Sequence, residues 1–333
     1  MRKRVYILAA VSLFILIGLV GLADLDRLAS ILKAASPTMV ALSIASYTVA
    51  IIFFALIWHF LLKASGLTLG LTSNLKLVFS SVFFNVVTPT ASYGGEAVRI
   101  YLLSKKFGLD AGRGAATIVA HRIIGTVSNS LGTLVLGIYL VLFYNLSLPL
   151  LTVILLVTFS SFFGFLILLY FGLRIEWSKG AFERIAGIIS RFKSVSDAKK
   201  ESFFSNLESY HEGLDVLLKS RVILMLSMIL GLLAWFFVNL VAVLAYKAVG
   251  GALNTENFLL IFTFFSVSRL IPTGLPEFVG SKEAVLAGLY SAIGLPLSTS
   301  VAVTLLIRVA TQLWMIILGG TVTLQLGVEG FRK

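Results

Sequence analysis

Long uninterrupted apolar segments dominate this sequence and restrict what it can fold into. They lie at about 5–22, 37–62, 115–144, 148–173, 222–247 and 298–326, and each carries at most two Asp, Glu, His, Lys or Arg side chains. A helix of about 20 apolar residues crosses the hydrocarbon core of a bilayer. The chain is 58% hydrophobic and only 13% charged, whereas soluble domains carry about 25% charged residues, so a water-soluble enzyme is excluded. The pattern predicts an all-α integral membrane protein with about six full transmembrane helices.

Two further apolar stretches, 75–104 and 258–290, are interrupted by Pro and Gly and then carry charge. We interpret each as two half-helices joined by unwound backbone, that is, a re-entrant helical hairpin. Such backbone is tolerated at membrane depth only where protein or a water-filled cavity satisfies it. The alternative is that Pro and Gly merely kink packed helices. The residues expected to form the two hairpin turns are Pro89, Thr90, Gly94, Gly95, Pro272, Thr273, Gly274 and Gly280.

The distribution of Lys and Arg predicts the orientation. The net charge is +12, and cytoplasmic loops are the ones enriched in Lys and Arg. With six spans and two hairpins, the basic segments 1–4, 63–76, 105–114, 174–221 and 327–333 all lie inside, and the loops 24–36, 145–147 and 248–257 lie outside. With eight full spans, the basic 174–221 segment would lie outside, so six are favoured. We therefore expect a multi-pass protein of the cell membrane with both termini in the cytoplasm. Anionic lipid headgroups account for the charge, and no nucleic-acid partner is expected.

The 174–221 segment is predicted to contain an amphipathic helix. Apolar side chains recur in it at helical spacing, at Phe203, Leu207, Tyr210, Leu214 and Leu217. A helix of this kind lies either on the inner membrane face or packed under the transmembrane bundle, and the spacing leaves both open.

The two halves of the chain, about 37–144 and 222–326, resemble each other within a single domain that covers 1–333. Glu96-Ala-Val matches Glu283-Ala-Val, and an arginine follows each downstream Gly-Leu pair at the same distance, namely Arg122 and Arg308. Under the topology above, the two hairpins open from opposite faces, which makes an inverted-topology repeat. Broken helices in inverted repeats are typical of secondary transporters and point to the binding site.

Ionisable residues at membrane depth are costly and therefore indicate function. The predicted substrate-binding residues are Glu96, Arg99, His121, Arg122, Arg269, Lys282, Glu283 and Arg308. Arginine suits a phosphate because its fork binds two oxygens at once. Glu96 and Arg99 are spaced to pair on one helix face. The alternative is that the arginines pair with Glu96, Glu283 or unwound carbonyls and only hold the bundle together.

Catalytic and metal chemistry have little support in the sequence. There is no cysteine, the three histidines lie far apart, and no nucleotide-binding, zinc-protease or nucleophile-elbow motif occurs. We therefore predict no catalytic residues, no metal, no cofactor and no enzyme activity.

The sequence contains four features that belong together: the motif N-x-x-x-P-T-x-x-x-G-G-E-x-x-R at 85–99, A-H-R at 120–122, I-P-T-G-L-P-E-F-V-G-S-K-E-A at 271–284 and the late Arg308. In this combination they resemble the lysylphosphatidylglycerol synthase transmembrane-domain family of flippase-like proteins. The second motif departs from the family's Pro-Gly-Gly-x-Gly-x-x-Glu form at 275–280. The resemblance implies a membrane module that moves lipids between leaflets, including phospholipids and polyprenyl-phosphate sugars, without the soluble synthase domain. The motif residues carried over are Pro89, Thr90, Gly94, Gly95, Glu96, Arg99, Arg122, Pro272, Glu283 and Arg308.

Three functions follow from these features. The first is a flippase-like transporter that moves an anionic, phosphate-bearing lipid between leaflets. The second is a transporter or channel for a small anion. The third is a membrane enzyme, or an accessory membrane subunit of a lipid-modifying or glycosyl-transferring enzyme. The expected partners are anionic membrane lipids, together with a second copy of the chain or a glycosyltransferase.

Overall fold

The computed structural model describes residues 17–88, 94–144, 151–152, 154–160, 162–163, 197–270 and 280–331, and nearly all of them are helical. The helices are α1 (Leu25–Ala34), α2 (Pro37–Ala64), α3 (Leu71–Val87), α4 (Gly94–Phe107), α5 (Ala111–Tyr144), α6 (Asp197–Lys219), α7 (Arg221–Ala248), α8 (Thr255–Leu270), α9 (Ser281–Ala292), α10 (Leu297–Arg308), a π-helical turn (Val309–Leu313) and α11 (Trp314–Phe331).

Four helical segments in the described part are long and apolar enough to cross a membrane. They are α2, α5, α7 and the continuous segment Leu297–Gly327, which combines α10, the π-helical turn and α11. They coincide with four of the six predicted spans. The predicted spans 5–22 and 148–173 lie largely outside the described residues, although 17–22 and most of 151–163 are helical.

The segment 24–36, interpreted above as a loop, contains α1. Asp24 caps this helix by accepting a hydrogen bond from the Arg27 backbone N–H at 3.0 Å, which satisfies one of the free donors of the first turn. Leu28 is buried, and α1 packs against α10. We did not predict this helix because its ten residues are too few to register among membrane-length apolar segments, although Leu28, Ile31 and Leu32 share one face of it.

The described helices occur twice in the same order: a long helix, two short helices with a break between them, and a second long segment. The long helices α2 and α7 each have 28 residues. Both end at a glycine with positive φ, Gly66 at 79° and Gly250 at 83°. The second short helices, α4 and α9, also end at such a glycine, Gly108 at 65° and Gly294 at 89°. Glycine adopts this left-handed conformation without steric cost, so the same helix ends recur in both halves.

The two long helices α2 and α7 run antiparallel at the centre of the molecule. Ser43 donates a hydrogen bond to the Val241 carbonyl at 3.0 Å, and one turn further along α2, Ser46 donates to the Phe237 carbonyl at 2.7 Å. As residue numbers rise on α2, they fall on α7. Small hydroxyl-bearing residues permit this close approach and supply hydrogen bonds between helices.

The short helices of each half pack on the last long segment of the other half. Thr323 on α11 donates to Ser80 on α3 at 2.9 Å. In the opposite sense, Arg269 on α8 donates to Asn129 on α5 at 3.3 Å. The halves are therefore intertwined rather than placed side by side.

Helix α6 packs on the bundle. A Cβ added at Gly112 of α5 would lie 2.2 Å from the Asn206 carbonyl oxygen, and one added at Gly213 of α6 would lie 3.0 Å from the Ala116 Cβ. Leu214 and Leu217 are buried. Of the two placements left open for the amphipathic segment, the described residues 197–219 adopt the packed one, and 174–196 lie outside the described part.

Candidate functional site

A cavity of about 200 Å³ lies between the two halves, close to the middle of α2. Its walls come from α2, α3, α7, α8, α9, α10 and the π-helical turn. Among the described residues, its lining combines apolar and neutral polar side chains with three charged ones, and it includes Tyr47, Ile51, Phe54, Val86, Val238, Phe265, Ser268, Arg269, Glu283, Leu286, Thr304, Ile307, Arg308, Thr311 and Gln312. Three of the predicted site residues, Arg269, Glu283 and Arg308, therefore share one cavity.

Glu283 connects the start of α9 to Arg308. One carboxylate oxygen, Oε2, accepts a hydrogen bond from the Gly280 N–H at 2.7 Å. The other, Oε1, pairs with the Arg308 guanidinium. Gly280 has φ 123°, a conformation that favours glycine, and it allows the chain to turn directly into the helix. The side chains of Glu283 and Arg308 are only 8% and 14% exposed, so the pair is held away from water.

The π-helical turn begins immediately after Arg308. An extra residue in a helical turn shifts the following side chains around the axis, and such turns often occur at functional sites. Thr304, Thr311 and Gln312 line the cavity together with Arg308. Trp314 fixes the far end of the turn by donating from Nε1 to Thr48 Oγ1 at 2.9 Å.

Arg269 approaches the cavity from the C-terminal end of α8. Its Nη1 donates to Asn129 Oδ1 at 3.3 Å. Nearby, Trp235 donates from Nε1 to Ser266 Oγ at 2.9 Å, and Ser266 also contacts Thr133. This polar cluster joins α5, α7 and α8 inside the bundle and orients Arg269.

A second group of charged side chains lies in the first half of the chain. Arg122 on α5 and Glu96 on α4 form an ion pair at 2.9 Å between Nη2 and Oε1. Arg99 is 4% exposed. Its guanidinium carbon lies 4.5 Å from the ring centroid of Trp58, and its Nη2 donates to Ser81 Oγ at 3.3 Å. Glu96 therefore pairs with Arg122 rather than with Arg99, because Arg99 turns toward α2 and α3.

The start of α4 is held against α3. The Gly95 N–H donates to Asn85 Oδ1 at 2.7 Å. A Cβ at Gly95 would lie 2.0 Å from the Ser81 carbonyl oxygen, so only glycine fits there. Gly95 opposes Asn85 and Arg99 opposes Ser81, which shows that α3 and α4 run antiparallel.

His121 lies between the two groups of charges. Its Nε2 is 3.0 Å from the Phe54 carbonyl oxygen, and its ring meets the Phe54 ring edge-on at a centroid distance of 5.8 Å. Phe54 itself lines the cavity. No group of three metal-ligating side chains occurs among the described residues, and His121 has the environment of a packing residue.

The remaining predicted residues are only partly described. Gly94 begins α4, and Lys282 lies in the first turn of α9 with its side chain outside the described part. The turn residues Pro89, Thr90, Pro272, Thr273 and Gly274 lie outside the described residues. The sequence reasoning did not identify Trp58, Ser81 and Asn129 as arginine partners, because a neutral residue in an apolar helix carries no distinguishing signal.

Comparison with known proteins finds relatives over almost the full length. The chain is 24% identical to the UPF0104 membrane protein PH1989 of Pyrococcus horikoshii, over 98% of this chain and 97% of the relative. It is 24% identical to a UPF0104 membrane protein of Methanothermobacter thermautotrophicus, over 92% of each. It is 25% identical to the UPF0104 membrane protein MJ1595 of Methanocaldococcus jannaschii, over 94% of this chain and 92% of the relative.

No solved structure matches this chain. The model of one family, the lysylphosphatidylglycerol synthase TM region, matches residues 7–320. Because that match covers nearly all of the sequence, the chain belongs to this family of membrane proteins.

Proposed function

We propose that this chain is a flippase-like transporter that moves an anionic, phosphate-bearing lipid between the leaflets of the cell membrane. The observation that carries the proposal is the cavity between the two halves, lined by Arg269, Arg308 and Glu283. Two arginine side chains and one glutamate therefore line the same cavity at membrane depth, where ionisable residues are costly and mark substrate pathways. A guanidinium group binds two phosphate oxygens at once, so this lining suits a phosphate-bearing headgroup.

The arrangement of the helices supports movement of the cavity between the two faces. The halves have the same helix order, their central helices run antiparallel, and their outer helices are exchanged. We take this as an inverted repeat with the two short-helix pairs as re-entrant hairpins. Rocking of one half against the other would then expose the same binding site to each leaflet in turn.

The basic residues support an orientation with both termini in the cytoplasm. Arg113 at the start of α5 forms an ion pair with Glu212 of α6 at 3.1 Å. Lys105 and Lys106 lie in the last turn of α4, just before α5 begins, and Arg221 is the first residue of α7. These residues belong to one end of the bundle, and such an end faces the cytoplasm under the positive-inside rule.

Transport is tested with the purified chain in vesicles that contain phosphatidylglycerol with a fluorescent NBD group on one acyl chain. Dithionite added outside bleaches only the outer leaflet, so movement between leaflets appears as additional bleaching. We expect the wild-type protein to accelerate this additional bleaching. Arg308→Gln should slow it by about tenfold or more, because a hydrogen bond to a charged group contributes about 1.5–3 kcal/mol.

The matched control is Arg113→Gln, which removes the same charge from an exposed pair outside the cavity. Arg308→Lys keeps a positive charge beside Glu283 and separates loss of recognition from loss of folding. Bleaching equal to that of protein-free vesicles would overturn the proposal. Chloride or phosphate efflux without lipid movement would instead identify a small-anion pathway.

A further inference from the structure

The groups around Arg99 leave three buried polar atoms unsatisfied. Arg99 is 4% exposed, yet its Nε and Nη1 have no hydrogen-bond partner, and neither does Glu96 Oε2. Buried polar groups are almost always paired, and leaving charged ones unpaired is costly. The atoms comprise two donors and one acceptor within a single helix turn of α4.

The positive charge of Arg99 has no carboxylate partner of its own. Among the described residues, the Glu96 carboxylate pairs with Arg122, and no ion pair joins Arg99 to an acidic side chain. Trp58 compensates part of this charge, because its ring face lies 4.5 Å from the Arg99 guanidinium carbon and attracts cations. Trp58 is itself fully buried and fixed by its Nε1 donating to Thr117 Oγ1 at 2.9 Å.

One face of α2 leads from the cavity to this group. Tyr47, Ile51 and Phe54 line the cavity, and Trp58 follows Phe54 by one helical turn on the same face. Helix α5 contacts this face of α2 through His121, whose ring meets the Phe54 ring. The next residue along α5 is Arg122. The two charged groups therefore lie at successive levels along one helix face, with the Phe54 ring between them.

We propose that Arg99, Glu96 and Ser81 form a second binding site, closed in this structure, for a phosphate diester whose alcohol part carries a hydrogen-bond donor. The phosphate oxygens accept from Arg99 Nε and Nη1, and a hydroxyl or ammonium group donates to Glu96 Oε2. Phosphatidylglycerol and phosphatidylethanolamine have both features, whereas choline has no N–H or O–H. The site deepens the proposed function, because it takes the same lipid and selects the headgroup.

The experiment measures equilibrium competition for NBD-phosphatidylglycerol bound to the full chain in detergent. For the wild type, phosphatidylglycerol should compete about tenfold or more better than phosphatidylcholine, because one buried hydrogen bond to a charged acceptor is at stake. Glu96→Gln should bring this ratio close to one. Arg99→Gln should weaken phosphatidylglycerol about tenfold or more, and Ser81→Ala should weaken it by a smaller factor because Arg99 stays in place.

Arg113→Gln is the matched control and should leave both affinities unchanged. Arg99→Lys keeps the charge and guards against an effect on folding alone. If inorganic phosphate also displaces NBD-phosphatidylglycerol, the result would support recognition of the phosphate group itself, whether it comes from a lipid or from solution. Equal competition by the two lipids in the wild type, or wild-type affinity in Arg99→Gln, would overturn the second site.

The second site and the proposed function fail in different ways. If Arg308→Gln abolishes binding and Arg99→Gln does not, the second site is refuted while the transporter stands. If no phosphate-bearing lipid competes in the wild type, both are refuted.

Discussion

The ion pair between Glu283 and Arg308 predicts a strongly non-additive effect on stability. Both side chains are at least 86% buried, and breaking a buried pair by removing one partner costs about 3–5 kcal/mol, since it leaves an uncompensated charge. Glu283→Gln removes the charge but keeps an oxygen for the Gly280 N–H. We therefore expect Glu283→Gln alone to lower the free energy of unfolding by about 3–5 kcal/mol.

Replacing both partners removes the uncompensated charge. The double variant Glu283→Gln with Arg308→Met should recover at least about 2 kcal/mol relative to Glu283→Gln alone. The pair Glu96–Arg122 is an internal comparison. Its arginine is 33% exposed, so Glu96→Gln should cost less, about 1–2 kcal/mol.

The assay is unfolding in mixed micelles of detergent and sodium dodecyl sulfate, followed by far-ultraviolet circular dichroism. A loss of unfolding free energy in the double variant equal to the sum of the two single-variant losses would contradict this coupling. So would a Glu283→Gln variant that is no less stable than Glu96→Gln.

Three further variants test a helix contact, a buried hydrogen bond and an exposed ion pair. Gly132→Ala places a Cβ 2.5 Å from the indole of Trp235, so α5 and α7 must separate, and the free energy of unfolding should fall by about 1–3 kcal/mol in the same micelle assay. Asn74→Ala removes a fully buried donor to the Ala55 carbonyl at 2.7 Å and should cost about 1–3 kcal/mol, read from the thermal midpoint. Arg113→Gln breaks a pair that is 44% and 65% exposed and should change stability by less than about 1 kcal/mol. A large loss there would contradict the assignment of Arg113 to the surface.

The long helices were predictable because membrane insertion imposes a simple rule on composition. The apolar segments at 37–62, 115–144, 222–247 and 298–326 agree with the four helical segments that are long enough to span within the described part of the chain. Two features of the fold were not predictable. Helix α1 is too short to register in a search for membrane-length apolar segments. The π-helical turn after Arg308 has no signature in the local sequence, and the Trp314 hydrogen bond to Thr48 at its end is a contact between distant segments.

The sequence singles out the charged residues of the bundle but does not predict their partners. Scarcity of charge in apolar segments identifies Arg99, Arg122 and Arg308, because each charged side chain there is expensive. Their partners depend on how the helices are rotated. Spacing alone favoured Glu96 with Arg99, whereas the tertiary contact joins Glu96 to Arg122 across two helices. The neutral residues that complete the site, such as Trp58, become visible only once α2 and α4 are placed side by side.

The most direct test of a lipid-binding cavity between two opposed halves is an electron cryomicroscopy map of the full chain in nanodiscs containing phosphatidylglycerol. We expect headgroup density within hydrogen-bond distance of Arg308, continuous with acyl-chain density that leaves the cavity sideways into the lipid. A cavity sealed from the lipid that holds only a compact, isolated density beside Arg308 would contradict it.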